Sequence, residues 1–390
     1  MARIEVAARW NVAIGAALAV LLLGWQAASA QTASLPVPAS ANVSANASTG
    51  ASAAASTAAR GPSWIAVSRV AGRLRAADIG LVINSADPAS VQVGEHYIAA
   101  RKLLPQQVLR IAVPQRPVLT RDEFERLRRV IESHFGPATQ ALAMAWNEPY
   151  AVECNSITGA LALGFDAELC KHSCAASRVS LYFNSPSVRP LADHGLRPSM
   201  LLAARSVEQA KALIDRGVAA DGALALRGRP PVSAMFLTTE DAPRRVRSVL
   251  YPPPGPVASF GLDVQVVAAE DLPRAKRVLM VSTGSVRAPL EPAPDWAPGA
   301  LGDHLTSYAG DLLGSHGQGT ALDWIESGTV ASHGPVSEPC NHLQKFPHPQ
   351  VLLLHYLQGS TVMEAYWKSV AWPQQSLFIG EPLAAPFSRR

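Results

Sequence analysis

Residues 328–340 read GTVASHGPVSEPC and bring an imidazole (His333), a carboxylate (Glu338) and a thiol (Cys340) into one short stretch. A cysteine nucleophile needs its thiolate within about 3 Å of an imidazole base. His333 and Cys340 are candidates for that pair, with Glu338 between them. The stretch also crosses Pro335 and Pro339, and the partners of such dyads usually come from separate elements. The second reading is that His333 ends a strand and Cys340 is structural or paired. A second candidate group is GDHLTSYAG (302–310), with Asp303, His304, Thr306 and Ser307. On a strand, Asp303 and Ser307 share one face and His304 and Thr306 the other. Such a cluster either closes its own hydrogen bonds or lines a pocket. A further imidazole, His316, lies in SHGQG (315–319).

The other three cysteines, Cys154, Cys170 and Cys174, lie close together, the last two in CKHSC. Thiolates and a histidine at this spacing could hold zinc, but an oxidising compartment favours a disulfide among the three. Cys340 then completes a long-range bridge, or two thiols stay free. No cofactor or resident metal is expected. Glu381, in GEPLAAPF (380–387), is a capping or pocket candidate.

The elements that must carry these residues alternate. IGLVIN (79–84), QVLRIAV (107–113) and ATQALAMAW (138–146) read as strands. Between them lie a helical stretch at 91–104 and a second helix opened by a Thr120–Glu123 capping box. That order predicts an α/β fold with a mainly parallel sheet flanked by helices. Functional residues are then expected at the strand C-terminal ends, near 84–87 and 146–150. Further along, a helix is expected over 208–220 with Gly217 as its stop. Strands are expected at 232–238, 262–268 and 277–284, a proline-rich surface loop at 285–300, a helix at 320–327, two helices after 351 and a last strand at 376–380. Trp324, Tyr366, Trp367 and Trp372 read as core.

Arg3 and Arg9, the apolar run Val12–Trp25 and Ala28-Ser29-Ala30 make a secretory leader over 1–30, too short in its apolar part to span a bilayer. Residues 31–61 are nearly all small or polar and read as a disordered linker. The remainder divides into expected α/β subdomains at 62–200 and 201–390. The formal charge is +4, with no basic run interleaved with aromatics, so no nucleic-acid partner is indicated.

VECNSITGALALGFD, GDHLTSYAG and the run from ALDWIESG to GEPLAAPF resemble an uncharacterised family of exported bacterial proteins found alongside exosortase-type sorting systems. The resemblance covers about 78–387. It implies export, no membrane attachment after leader cleavage, and partners among cell-envelope sorting or polysaccharide components. The order of elements and the terminal Gly-Glu-Pro-Leu are also similar to gingipain-type cysteine peptidases, which implies a caspase-like scaffold. In that family a histidine follows one strand and the nucleophilic cysteine the next. Here the first of these strands ends VSTGSV, without histidine. The resemblance thus implies a non-catalytic accessory or binding factor, or else a hydrolase using Cys340 with His304, His316 or His333.

Overall fold

The computed structural model describes residues 63–225 and 229–389, so the expected leader and the linker at 31–61 lie outside the described residues. The first half runs β1 (Ile79–Asn84), α1 (Pro88–Arg101), β2 (Val108–Ile111), β3 (Val118–Leu119), α2 (Arg121–His134) and β4 (Ala141–Met144). β1 is buried at all six positions, as a strand covered on both faces must be. Asp87 starts α1 by accepting from the Ala89 N–H at 2.9 Å, with Pro88 at the first helical position. Thr120 and Glu123 cap α2 reciprocally. Next come the short strands β5 (Ala151–Val152) and β6 (Asn155–Ser156), which with β3 make a separate three-stranded sheet. α3 (Ile157–Leu163), α4 (Glu168–Lys171), α5 (Pro190–His194), β7 (Ser199–Leu201) and α6 (Val207–Ala220) follow.

The second half runs β8 (Val232–Thr238), β9 (Gly255–Val257), β10 (Leu262–Ala268), β11 (Val278–Gly284), β12 (Trp296–Leu305), α7 (Ala321–Ser327), β13 (Ala331–Pro335), α8 (Pro349–Leu357), α9 (Val362–Ser369) and β14 (Ser376–Gly380). β12 begins inside the stretch expected to be loop. Ala297 and Ala300 are buried there, and Pro298 is tolerated because it is exposed where the β11–β12 register shifts.

The fold is α/β, with a large, mostly parallel sheet flanked by helices. Its strand order is β2-β1-β4-β7-β14-β13-β12-β11-β8-β10-β9. β1, β2, β4, β7 and β14 are mutually parallel. β8, β10, β11, β12 and β13 are parallel too. The two blocks meet at the antiparallel pair β13–β14, in which Ser332 faces Ile379 and His333 faces Phe378. The blocks therefore run in opposite directions, and their C-terminal ends open on opposite edges of the sheet. Setting aside the short antiparallel edge strand β9, each block repeats one order: second strand, first, third, fourth.

Gly217 does not stop α6, which continues to Ala220. It marks close packing: a Cβ there would sit 2.5 Å from Glu381 Cγ. An extended strap from residue 63 to 75 lies against α8 and α9. The Ile65 N–H donates to Gln350 Oε1 and the Val70 N–H to Gln358 Oε1, both at 2.9 Å. The Leu74 N–H donates to Glu364 Oε2 at 3.2 Å.

Candidate functional site

The end of β12, the loop after it and the loop after β13 form a cleft of about 320 Å³ at the C-terminal edge of the second block. Arg244, Thr306, Ser307, Glu338, Cys340 and Asn341 line it. The structure thus brings together four of the residues singled out in the sequence: Thr306, Ser307, Glu338 and Cys340. It separates them from His304, His333, Asp303 and Glu381, which are buried elsewhere.

Cys340 is bonded to Cys174, and Cys154 to Cys170. This corrects the nucleophile reading of Cys340, because a sulfur in a disulfide has no thiolate to offer. It also leaves no thiolate for zinc; among the described residues no histidine, cysteine and carboxylate group is arranged to hold a metal. Glu338 is spent locally: its Oε1 accepts from the Cys340 N–H at 2.7 Å. That bond closes a turn in which Cys340 and Asn341 both take left-handed backbone angles, φ 56° and 46°.

His304 is no base either. Trp324 on α7 donates its Nε1–H to His304 Nδ1 at 2.9 Å, so His304 Nε2 carries the proton and donates to the Gly319 carbonyl at 3.2 Å. Burial pushes its pKa down to about 4. Gly302 permits this contact, since a Cβ there would lie 2.1 Å from the Trp324 ring. Asp303, one residue on, points to the other face of β12 and pairs with Arg247 at 2.5 Å. Both side chains are about 1% exposed. Burial raises the Asp303 pKa, and the Arg247 charge opposes that rise. His333 is fully buried beside Phe346 and Phe378, and among the described residues neither ring nitrogen has a hydrogen-bond partner. Burial, reinforced by the Arg247 charge, keeps it neutral. A catalytic His333 is corrected for the same reason: no substrate reaches a ring sealed from solvent.

Thr306 is a positioning residue in the cleft wall. Its Oγ1 accepts from Arg244 Nε at 3.1 Å and donates to Gln318 Oε1. Gln318 Oε1 also accepts from the Ser307 N–H at 3.0 Å. Arg244 is held in turn by Asp241 at 3.0 Å. Glu381 does not line this cleft. It is fully buried and accepts both prongs of Arg101, at 2.9 and 2.6 Å, while Arg101 also reaches Asp221 at 2.5 Å.

The group that most resembles base machinery was only glimpsed in the sequence. His316 Nδ1 donates to Asp311 Oδ2 at 2.8 Å, leaving Nε2 free on a side chain 47% exposed. Tyr308 stacks on the imidazole with centroids 3.7 Å apart. Asp311 is buried; burial opposes its ionisation, but hydrogen bonds from Ser315, Tyr150 and His316 outweigh it and lower its pKa. This unit can hold a proton at His316 Nε2. Ser315 is not its nucleophile, because its hydroxyl also points at Asp311. The signal available in the sequence was Asp-x4-His in a glycine-rich loop after a strand.

At the opposite edge, the first block opens a cleft of about 390 Å³ where residues 84–87 and 146–150 were expected to gather. Most of its polar groups serve the fold. Asn147 holds the Ala204 backbone at 2.6 and 3.1 Å, while Asn84 is buried outside the lining and bonds the Val113 backbone in both directions at 2.9 Å. Asp87 and Ser206 cap helices. Arg205 pairs with Asp323 and Glu326. Glu148 alone has no side-chain partner among the described residues; burial, and then the Asp87 charge, raises its pKa.

Among the described residues no helix is long and apolar enough to cross a membrane. That and the two disulfides are compatible with an exported protein. Comparison with known proteins finds no matching family model, no matching curated protein and no matching solved structure.

Proposed function

We propose that this chain is an exported cell-envelope protein that acts by binding, an accessory factor to exosortase-type protein sorting or to exopolysaccharide. One observation carries the reading: the cysteine at the mouth of the second-block cleft is joined to Cys174. Of the three histidines that the sequence offers as its bases, His304 and His333 are buried and held neutral, and only His316 is exposed. Two blocks of mainly parallel strands are consistent with the caspase-like scaffold that the resemblance implies. The test is thiol titration of the exported protein under denaturing, non-reducing conditions, together with assays of peptide and glycoside hydrolysis. No titratable thiol and no turnover are expected. Turnover that is lost in Cys340→Ala and kept in Cys154→Ala would overturn the reading.

A second reading has one observation in its favour. Asp311 and His316 form an oriented, exposed imidazole in the loop that follows β12. Burial, and then the Glu338 charge, raises the pKa of Tyr308, which stacks on His316. Were the Cys174–Cys340 bridge reduced, the freed thiol would stand at the same edge of the sheet as this base. Turnover that appears only with reductant and disappears in His316→Ala would establish the hydrolase instead.

A further inference from the structure

A further cleft of the described chain lies among the strap, the C-terminal segment and the residues that lead into β8 and β10. It is a groove of about 850 Å³, and its charge is one-sided: Arg69, Arg73, Arg75, Arg229 and Arg389 line it, with no aspartate or glutamate among the lining residues. These arginines come from three separate segments: the strap, the loop before β8 and the C-terminal segment. Of the other described arginines, nine are paired with carboxylates and nine are not, so what sets these five apart is that they share one groove. Among the described residues none of these five has an ion-pair partner. The formal charge of the whole chain is only +4, so the cluster is not a by-product of a basic sequence.

Bringing unpaired cations together is unfavourable unless an anion answers them. The strap also positions its share of the charge with care. Gln358 accepts from the Val70 N–H at 2.9 Å and donates to the Ser68 carbonyl at 3.3 Å, which fixes the backbone on both sides of Arg69. Leu74, between Arg73 and Arg75, is buried and tied to Glu364. A neighbouring cleft shares Arg73, Arg75 and Arg389 and reaches the exposed Lys102; its one carboxylate, Asp221, is paired with Arg101.

The shape of the strip selects among anions. Along an extended chain Arg69 and Arg73 stand at most about 14 Å apart, and Arg73 and Arg75 about 7 Å. Charges spread in this way match a polymer with recurring negative groups better than one compact dianion. Arginine is the side chain whose planar fork fits a carboxylate with two parallel hydrogen bonds. Two aromatic rings lie in the wall: Phe260, 37% exposed, and the half-buried Phe387. The more exposed ring, Phe260, suits the apolar face of a sugar; single-stranded nucleic acid is held on a succession of exposed rings.

We propose that this groove binds an acidic polysaccharide, a polymer of uronic-acid sugars that lays its carboxylates on the arginines and one sugar face on Phe260. The proposal rests on the reading of the chain as an envelope binding protein, and it names the ligand class.

The test uses the purified protein with polygalacturonate as the probe. Dextran serves as the neutral polymer, and single-stranded DNA and phosphatidylglycerol vesicles as competing anions. Polygalacturonate should bind, dextran should not, and the affinity should fall roughly tenfold as salt rises from about 0.05 to about 0.3 M. The double variant Arg73→Ser/Arg75→Ser and the separate variant Arg229→Ser should each weaken binding roughly tenfold with melting temperature unchanged. Because the two variants alter different segments, a folding defect in one leaves the other decisive. Absence of polygalacturonate binding, or binding that survives both variants, overturns the proposal. So does tighter binding of DNA or of vesicles. Hydrolytic turnover at the second-block cleft would overturn the non-catalytic reading and leave this groove untouched, so the two failures are distinguishable.

Discussion

Trp324 donates its indole N–H to His304 Nδ1 across 2.9 Å, and the imidazole passes its own proton toward the Gly319 carbonyl. That chain of donors holds only while His304 is neutral. Burial sets its pKa near 4 in the fold, and burial together with the Lys368 charge sets that of His355 near 4 as well. In the unfolded chain both would titrate near 6.5. Between these values the unfolded chain takes up protons that the fold refuses. Stability present at neutral pH is therefore lost as pH falls from about 6.5 toward about 4, by about 3 kcal/mol for His304 alone. Denaturant melts across this range should show the loss, and His304→Phe should flatten it. The variant should also be less stable at pH 7, by roughly 1–3 kcal/mol, because the Trp324 N–H loses its acceptor. Equal slopes for the two proteins would refute the assignment.

The two disulfides close loops of very different size, with sequence separations of 16 for Cys154–Cys170 and 166 for Cys174–Cys340. In the chain-entropy account a cross-link restricts the unfolded chain more as its loop lengthens. The estimates are about 3 kcal/mol for the short loop and about 5 kcal/mol for the long one. Removing each bridge as a double serine variant should therefore lower stability more for Cys174/Cys340 than for Cys154/Cys170. Urea unfolding of the two variants measures the difference; the reverse order would mean that native contacts, not loop closure, dominate.

Arg101 and Glu381 tie α1 to the segment after β14 through a two-pronged pair from which water is excluded. Glu381→Gln leaves a buried guanidinium short of its countercharge and should cost about 3–5 kcal/mol. Gly217→Ala attacks the same pair from the side, because the new methyl would meet Glu381. It should cost about 1–3 kcal/mol in spite of alanine's better helix propensity. A stabilised Gly217→Ala protein, measured by thermal melting, would show that Glu381 moves aside freely.

Gly217 also illustrates what the sequence withheld. A glycine near the end of a helical pattern reads as a stop, and nothing local says that a carboxylate from 164 residues further on will lie against it. The strand pattern was legible because β1, β4, β8 and β11 are nearly all apolar and buried, and the capping box of α2 because it is a local hydrogen-bond motif. The opposed direction of the two blocks was not legible. It follows from where β14 inserts, between β7 and β13, and that pairing is purely long-range. The same holds for the site. Cys340, Glu338, Thr306 and Ser307 do meet at one cleft, but the partner that removes the thiol, Cys174, comes from the other half of the chain. The arginine groove is not legible in the sequence, because its residues are scattered from 69 to 389 and form no run.

The strap offers the sharpest local test. Its backbone amides at Ile65 and Val70 donate to the side chains of Gln350 and Gln358, not to a neighbouring strand. Each such bond contributes about 1 kcal/mol. Gln358→Ala should therefore raise amide hydrogen exchange at Val70 roughly fivefold while leaving Ile65 protected, and Gln350→Ala should do the converse. Both helices that hold the strap pack through their own apolar residues, so the melting temperature should drop by less than about 4 °C. Proteolysis after Arg69 should quicken in the Gln358 variant, since the bonds on both sides of that residue go together. Exchange at Val70 unchanged by Gln358→Ala would mean that the strap is held by something other than this side chain, and that Arg69 is not positioned by it.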